Sequence, residues 1–212
     1  MTLIYRFTWL VCRLVFRIYF RCNVFNERRV PAEGPVILAG NHASFLDPPM
    51  IGAAVLRPIN YLARESLFRF PIFGWYLKAL NSVPVDRDGQ GAKGLKIILD
   101  RLTKGGGIIL FPEGTRTRSG ELQPARSGVG LTVIKSDAPV VPVRVFGTFK
   151  AWNRKQIFPR PRKVIVKFGE PIDFKELREE AKTCPKKRLK EIYQEVADQI
   201  MEEIAVLEPK RD

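Results

Sequence analysis

Short apolar runs rich in β-branched residues recur along the chain and alternate with stretches of helical periodicity. The runs are too continuous to belong to strands with one face in water, so they predict buried strands. The strands are predicted at 36–40, 59–63, 82–85, 107–111, 140–147 and 163–169. The helices are predicted at 48–56, 72–80, 92–104, 129–136 and 186–207. This alternation predicts an α/β fold whose mixed, largely parallel sheet is flanked by helices.

The first 25 residues differ from the rest, because they are densely apolar and aromatic but are interrupted by arginines. On a helix Arg6, Arg13, Arg17 and Arg21 fall within roughly 80° of one another. The chain has no run of about 20 uncharged apolar residues here, which disfavours a transmembrane span, and the arginines disfavour a signal peptide. The pattern favours a helix lying in the membrane interface. The alternative is an amphipathic helix that packs on the domain.

The domain division follows from this anomaly. Residues 1–25 are predicted to form an amphipathic membrane-associating helix, and residues 26–212 are predicted to form an α/β domain. The helix would hold the protein on the cytoplasmic face of the cell membrane as a monotopic or peripheral protein.

Charge narrows the choice of partners. The formal net charge of the 212 residues is +14, which indicates an anionic partner such as nucleic acid, an anionic membrane surface or a phosphorylated substrate. Three cysteines without a CxxC pair, together with a single histidine, disfavour a structural zinc site and favour a reduced, cytosolic setting.

The single histidine, His42, follows the predicted strand 36–40, and Asp47 comes five residues later. A turn between strand and helix can bring the carboxylate to one ring nitrogen and leave the other as a general base. The alternative is a buried histidine with an incidental hydrogen-bond partner. Ser44 lacks the glycine pattern of a nucleophile elbow, so the base is expected to activate a hydroxyl of the substrate.

A second polar turn follows the predicted strand 107–111. Residues 111–120, FPEGTRTRSG, combine two arginines, three hydroxyls and two glycines, which is the composition of an anion-binding loop. A surface loop with incidental arginines is the alternative. Arg87, in the segment PVDRD after another strand, is a further candidate phosphate contact, although by itself it is weak.

The order of these segments carries more information than any one of them. The HX4D spacing of His42 and Asp47, then PVDR, FPEGTR and the VVPV run at 140–143 resemble the four sequence blocks of the glycerophospholipid acyltransferase family. The resemblance covers roughly residues 24–170. It includes YLARESLF at 61–68, where Arg64 stands at a position that is often lysine in the family, and Thr117 stands where serine is common.

The resemblance implies an activity. An acyl chain would pass from an acyl thioester, acyl-carrier protein or acyl-coenzyme A, to the sn-2 hydroxyl of 1-acylglycerol-3-phosphate (lysophosphatidate), giving phosphatidate. His42 would be the general base and Asp47 its orienter. The expected substrate-binding residues are Arg64, Arg87, Glu113, Gly114, Thr115 and Arg116. No metal or organic cofactor is indicated.

Alternatives to this function remain open at the level of sequence. One is an acyltransferase that acts on a related lysolipid. Another is a non-catalytic basic protein that binds membranes or nucleic acid, which would interleave basic and aromatic residues on one surface. An esterase or phosphatase would require an activated serine, a cysteine–histidine motif or a metal cluster, none of which the sequence suggests. The favoured partners are therefore lysophosphatidate, the thioester and an anionic membrane surface, and not nucleic acid.

Overall fold

A computed structural model describes residues 2–85 and 91–210. The strands are β1 Asn23–Phe25, β2 Val36–Gly40, β3 Ile59–Arg64, β4 Ser82–Val85, β5 Gly107–Leu110, β6 Val140–Phe146 and β7 Ile165–Phe168. The helices are α1 Leu3–Ile18, α2 Asp47–Ala54, α3 Pro71–Ala79, α4 Gly91–Thr103, α5 Ser127–Ile134, α6 Thr148–Ala151, α7 Lys175–Thr183 and α8 Lys186–Val206. Two 3-10 turns lie at Glu27–Arg29 and Glu65–Arg69.

The strands form one seven-stranded sheet in the order β1-β7-β6-β2-β5-β3-β4. Every neighbouring pair is parallel except β6 and β7, which are antiparallel. The predicted mixed, largely parallel α/β fold is therefore confirmed. In a parallel sheet the carboxyl ends of neighbouring strands lie on one edge, so the turns after β2, β5 and β3 are brought together.

Helices cover both faces of the sheet, and the side chains of β2 alternate between two cores. Val36 and Leu38 face a core that includes residues of α1 and α2, whereas Ile37 and Ala39 face a core built with α4, α5 and α8. All five residues of β2 are buried. This double coverage is why the central strands are continuously apolar rather than alternating.

The predicted strands and longer helices lie within a few residues of their predicted positions, while three short or polar elements lacked a usable signal. Helix α7 is dominated by charged residues, and α6 is a single turn. Strand β1 has only three residues and owes its conformation to its parallel partner β7. Tertiary pairing decides the structure of such short segments, and local periodicity does not.

The amino-terminal segment contains a helix followed by a strand, rather than helix as far as residue 25. Helix α1 ends at Ile18, and Arg21 has a φ angle of +45°, in the left-handed region that ends a helix. The next residues then join the sheet edge as β1. Residues 2–25 are consequently tied to the α/β domain by contacts from both the helix and the strand.

Helix α1 has two apolar faces. Its inner face packs on the domain: Tyr5 and Phe16 are buried, and the Trp9 indole donates a hydrogen bond of 3.0 Å to the Val55 carbonyl. Its outer face carries a stripe at helical spacing that is exposed to solvent. The stripe consists of Leu3, Phe7, Leu10, Leu14 and Ile18.

One face of α1 therefore packs on the domain and the other is exposed to solvent, and the membrane contact of the exposed face remains a prediction. None of the helices in residues 2–85 and 91–210 is long and apolar enough to cross a membrane.

Candidate active site

The turn after β2 is fixed to the sheet before it reaches the histidine. The Asn41 side chain accepts a hydrogen bond of 2.7 Å from the Val145 amide and donates one of 3.1 Å to the Val145 carbonyl. This pair of bonds joins the carboxyl end of β2 to β6. His42 therefore follows a strand end that is held rigidly in the sheet. The turn after His42 sets the position of the imidazole ring.

Asp47 organises that turn. One of its oxygens, Oδ2, lies 2.9 Å from His42 Nδ1 and accepts hydrogen bonds of 2.6 Å from the amides of Ala43 and Ser44. The carboxylate is fully buried at the start of α2. A carboxylate can only accept, so the contact places the imidazole proton on Nδ1 and leaves Nε2 with a lone pair.

The imidazole also has a fixed plane. Its ring stacks on Phe111, with the ring centroids 4.0 Å apart and an interplanar angle of 17°. Phe111 directly follows β5, the parallel neighbour of β2, and so the two strand ends meet at this contact. Nearly all of the His42 surface is buried, with 9% exposed.

Glu113 joins the two turns through the backbone of His42. Its Oε1 accepts a hydrogen bond of 2.7 Å from the His42 amide, and its Oε2 accepts one of 2.8 Å from the Gln123 side chain. On the other side, the Thr117 amide donates to the His42 carbonyl at 2.8 Å. Burial raises the pKa of the Glu113 carboxyl, and these hydrogen bonds oppose the rise. The contacts described for Glu113 are with other protein groups. Its predicted contact with the acceptor substrate remains a prediction.

The turn at residues 111–120 depends on Gly114 and Thr117. Gly114 has a φ angle of +68°, and a methyl group there would lie 2.8 Å from the Arg126 side chain. The buried Thr117 hydroxyl accepts hydrogen bonds of 3.3 and 3.2 Å from the Ser119 and Gly120 amides. Thr117 thus supplies a hydroxyl at this position, as serine would, and the hydroxyl closes the turn.

Two arginines lie near the histidine. The Arg116 guanidinium is centred 3.4 Å from the ring centroid of Phe45, which belongs to the His42 turn. Arg64, at the end of β3, is exposed, and both arginines line the same cavity as His42. Of the other predicted contacts, Thr115 is half-buried in the turn, and Arg87 lies outside the described residues.

The cavity has a volume of about 560 Å³ and runs between α1, α2, β3 and α3. Its lining away from the histidine and the arginines is mostly apolar. Its apolar members are Tyr5, Trp9, Cys12, Phe45, Pro48, Pro49, Ala53, Tyr61, Leu62, Ala63, Leu67, Leu77 and Leu80, and its polar members are Thr8, Ser66 and Ser82. Burial raises the pKa of the Cys12 thiol, so this side chain is a neutral part of the lining.

Several contacts of the site were missed at the level of sequence. Gln123 bonds both Glu113 and the Thr115 carbonyl, yet it lies ten residues after Glu113, outside the FPEGTR motif. Arg154 donates to the Thr115 hydroxyl at 2.6 Å and to the Arg116 carbonyl at 2.8 Å. Arg154 belongs to a loop more than thirty residues away along the chain, and no local sequence pattern predicts such a contact.

Ser44 has a structural role in the turn. Its hydroxyl donates a hydrogen bond of 2.6 Å to the Trp152 carbonyl and accepts one of 3.1 Å from the Leu46 amide. Within residues 2–85 and 91–210, no group of three or more histidine, cysteine, aspartate or glutamate side chains is arranged to hold a metal ion.

A histidine oriented by a buried carboxylate, beside arginines and an apolar cavity, can activate a hydroxyl on a substrate that carries an anionic group and a long chain. Comparison with known proteins identifies the class. Residues 21–146 match the family model described as Acyltransferase, which is more than half of the chain. The chain belongs to this acyltransferase family.

Its relatives include two bacterial proteins named 1-acyl-sn-glycerol-3-phosphate acyltransferase. The one from Bacillus subtilis (strain 168) is 27% identical over 169 residues, which are 79% of this chain and 82% of that protein. The one from Streptococcus pneumoniae (strain ATCC BAA-255 / R6) is 26% identical over 172 residues, 80% of this chain and 62% of that protein. A plant relative of the same name, from Cocos nucifera, is 29% identical, and the match covers 66% of this chain but only 46% of that protein.

A solved structure also matches. The crystal structure of the 1-acyl-sn-glycerophosphate acyltransferase PlsC from Thermotoga maritima has a TM-score of 0.74 and 26% sequence identity to this chain. The match covers 97% of this chain and 81% of that chain, so it includes the N-terminal helix as well as the sheet.

Replacing Glu113 with alanine tests the connection between the two turns. The substitution leaves the buried His42 amide without its acceptor, which costs about 1–3 kcal/mol, and it removes one of the two hydrogen bonds of the Gln123 side chain. We expect the free energy of unfolding, measured with urea, to fall by at least that amount. Glu121→Ala, on the exposed part of the same loop, is the control and should change it by less than about 0.5 kcal/mol. Equal effects of the two substitutions would contradict the structural role of Glu113.

Proposed function

We propose that this acyltransferase moves an acyl chain from a thioester, carried by acyl-carrier protein or coenzyme A, to the sn-2 hydroxyl of 1-acylglycerol-3-phosphate. The products are phosphatidate and the free thiol. The observation that carries the proposal is the buried Asp47 carboxylate 2.9 Å from His42 Nδ1, which leaves Nε2 as a base. The names of the bacterial relatives support the choice of acceptor.

In the proposed mechanism, His42 Nε2 removes the proton from the sn-2 hydroxyl as the oxygen attacks the thioester carbonyl carbon. The resulting imidazolium is stabilised by Asp47. The tetrahedral intermediate collapses, the carbon–sulfur bond breaks, and the proton passes from His42 to the departing thiolate. No acyl group is attached to the protein at any stage, because the acceptor hydroxyl is itself the nucleophile.

The acceptor phosphate is assigned to the arginines that line the cavity with His42. Arg116 is held against Phe45, so its guanidinium has a defined position near the base. Arg64 lies on the same cavity, and Arg87 is a further candidate. Fixing the phosphate fixes the sn-2 hydroxyl relative to Nε2, which is catalysis by positioning. For the tetrahedral oxyanion, the candidate donors are the backbone amides of Gly114 and Gly128 and the Arg64 guanidinium.

The apolar cavity suits an acyl chain. The polar atoms of Tyr5, Thr8 and Trp9, which line it from α1, are hydrogen-bonded to protein groups, so a chain inside the cavity would meet mostly apolar surface. Helix α1 forms one wall of the cavity. The helix that is proposed to lie in the membrane interface therefore also lines the proposed acyl site. A chain that leaves the cavity along α1 would enter a bilayer on which α1 lies.

The membrane contact is proposed to be the outer face of α1. That face exposes the apolar stripe from Leu3 to Ile18, and Arg6, Arg13 and Arg17 fall beside the stripe at the level expected for lipid headgroups. Helix α3 adds exposed Ile72 and Trp75 nearby, since the Tyr76 hydroxyl of α3 is 3.0 Å from the Thr8 hydroxyl of α1. The thioester carriers are cytosolic, which assigns the protein to the cytoplasmic leaflet. No nucleic-acid partner is proposed.

Removing the base should abolish turnover without loss of fold. His42→Ala is expected to lower kcat by about 10²–10⁴-fold, because general-base catalysis contributes that much to rate. Asp47→Asn should also be severely impaired, since a neutral amide stabilises the imidazolium poorly. The measurement follows thiol release with lysophosphatidate and an acyl thioester, and circular dichroism checks the fold. Near-native turnover by folded His42→Ala would refute the mechanism.

Removing Arg116 should affect one substrate and not the other. Arg116→Ala is expected to raise KM for lysophosphatidate about tenfold or more, in line with the loss of a charged hydrogen bond, and to lower kcat. KM for the thioester should scarcely change. Arg116→Lys should rescue only in part, because a point charge does not reproduce the guanidinium fork.

The control for Arg116 is Arg118→Ala, an exposed arginine two residues further along the same turn. It should leave both KM values close to those of the native protein. A two-substrate kinetic matrix measures all four proteins. If Arg116→Ala weakens only the thioester, the arginine serves the donor and the phosphate assignment is wrong.

A further inference from the structure

The segment between α6 and β7, residues 152–163, projects two adjacent apolar side chains into solvent. Ile157 is 83% exposed and Phe158 is 78% exposed. An apolar pair at the tip of an otherwise polar loop is costly to keep in water and commonly marks an interaction surface. We call this segment the 152–163 loop.

The exposure of the tip is imposed by the fold. The Trp152 indole donates a hydrogen bond of 3.0 Å to the Gln156 carbonyl, on one side of the tip. On the other side, the Arg160 amide donates one of 2.8 Å to the Ala151 carbonyl. These bonds close the base of the loop, so the two apolar side chains are held away from the domain and have no core to enter.

The sequence on both sides of the tip carries charge of one sign. Between Asp137 and Glu170 the sequence contains no acidic residue. The loop itself contributes five exposed cations. They are Arg154, Lys155, Arg160, Arg162 and Lys163. Apolar side chains at the outermost point, with cations behind them, match the layering of an anionic bilayer, whose acyl region lies beneath negatively charged headgroups.

The loop is also continuous with the proposed membrane face of α1. The Tyr19 hydroxyl, directly after α1, donates a hydrogen bond of 3.0 Å to the Pro159 carbonyl. The tip therefore lies beside the carboxyl-terminal end of the exposed stripe on α1. An acidic carrier protein would satisfy the cations but gives no reason for an apolar tip at this position.

We propose that the Ile157–Phe158 tip inserts into an anionic lipid surface and forms a second membrane contact beside α1. The inference rests on the proposed function for the α1 contact, which it extends. Two contacts separated along the surface fix the orientation of the protein on the bilayer, whereas one helix permits rotation about its axis.

The orientation of the protein on the bilayer matters for catalysis because the 152–163 loop contacts both the His42 turn and the FPEGTR turn. The Trp152 ring packs on Phe45 with the ring centroids 5.3 Å apart, and the Trp152 backbone carbonyl accepts a hydrogen bond from the Ser44 hydroxyl. Arg154 bonds Thr115 and the Arg116 carbonyl. A loop seated among headgroups would hold the acceptor site at the depth where the phosphate of a lysolipid resides.

The test measures the partition of purified protein onto sucrose-loaded vesicles of phosphatidylcholine containing phosphatidylglycerol. Ile157→Ser with Phe158→Ser is expected to weaken partition about tenfold or more, given the apolar area removed. Val206→Ser is the matched control, because Val206 is 69% exposed on α8, in the opposite layer to α1, and should have no effect. Leu10→Ser with Leu14→Ser on α1 serves as the reference for the first contact.

A second arm separates docking from chemistry. With a short-chain lysophosphatidate dissolved as monomers and no vesicles, the loop variant should turn over at the native rate. Native partition by the loop variant would overturn the proposal. Unchanged partition with a raised KM for acyl-carrier protein would also overturn it, by assigning the loop to the carrier. If the native protein transfers no acyl chain while the loop variant loses vesicle binding, the proposed function fails and the membrane contact stands.

Discussion

The site depends on one buried carboxylate oxygen. Asp47 Oδ2 accepts hydrogen bonds from two consecutive backbone amides and lies 2.9 Å from the imidazole, all within the turn that connects β2 to α2. Charge-assisted bonds of this kind are roughly twice as strong as neutral ones, and here they are shielded from water. The same oxygen therefore folds the turn and selects the histidine tautomer, so the local structure and the chemistry cannot be altered separately.

The parallel sheet extends this local constraint to the whole site. Strands β2 and β5 are adjacent and parallel, so the His42 turn and the FPEGTR turn leave the sheet at one edge. Glu113 then joins them through the His42 amide, and Phe111 supports the ring. β3, the other neighbour of β5, contributes Arg64 from the same edge. The strand order of the sheet decides which turns lie side by side. It therefore brings residues that are distant in sequence into one site, which no local sequence pattern does.

Much of the fold was predictable because buried parallel strands are short, continuous and apolar, as in β2 and β5. Strand β1 was not, since three residues carry too little periodicity and depend on pairing with β7. In the site, the spacing of His42 and Asp47 predicts their contact, as a tight turn leaves few arrangements. Arg154 was unpredictable as a site contact, because only the return of a distant loop brings it to the FPEGTR turn.

The central claim is that His42 activates the acceptor hydroxyl for direct attack on the thioester, with no acyl group passing through the protein. Rapid mixing with a thioester labelled in its acyl chain, first without and then with lysophosphatidate, tests it most directly. The account predicts no burst of thiol and no labelled protein without the acceptor, and then equal amounts of thiol and labelled phosphatidate once it is added. A stoichiometric thiol burst that leaves the label covalently on the protein would contradict it.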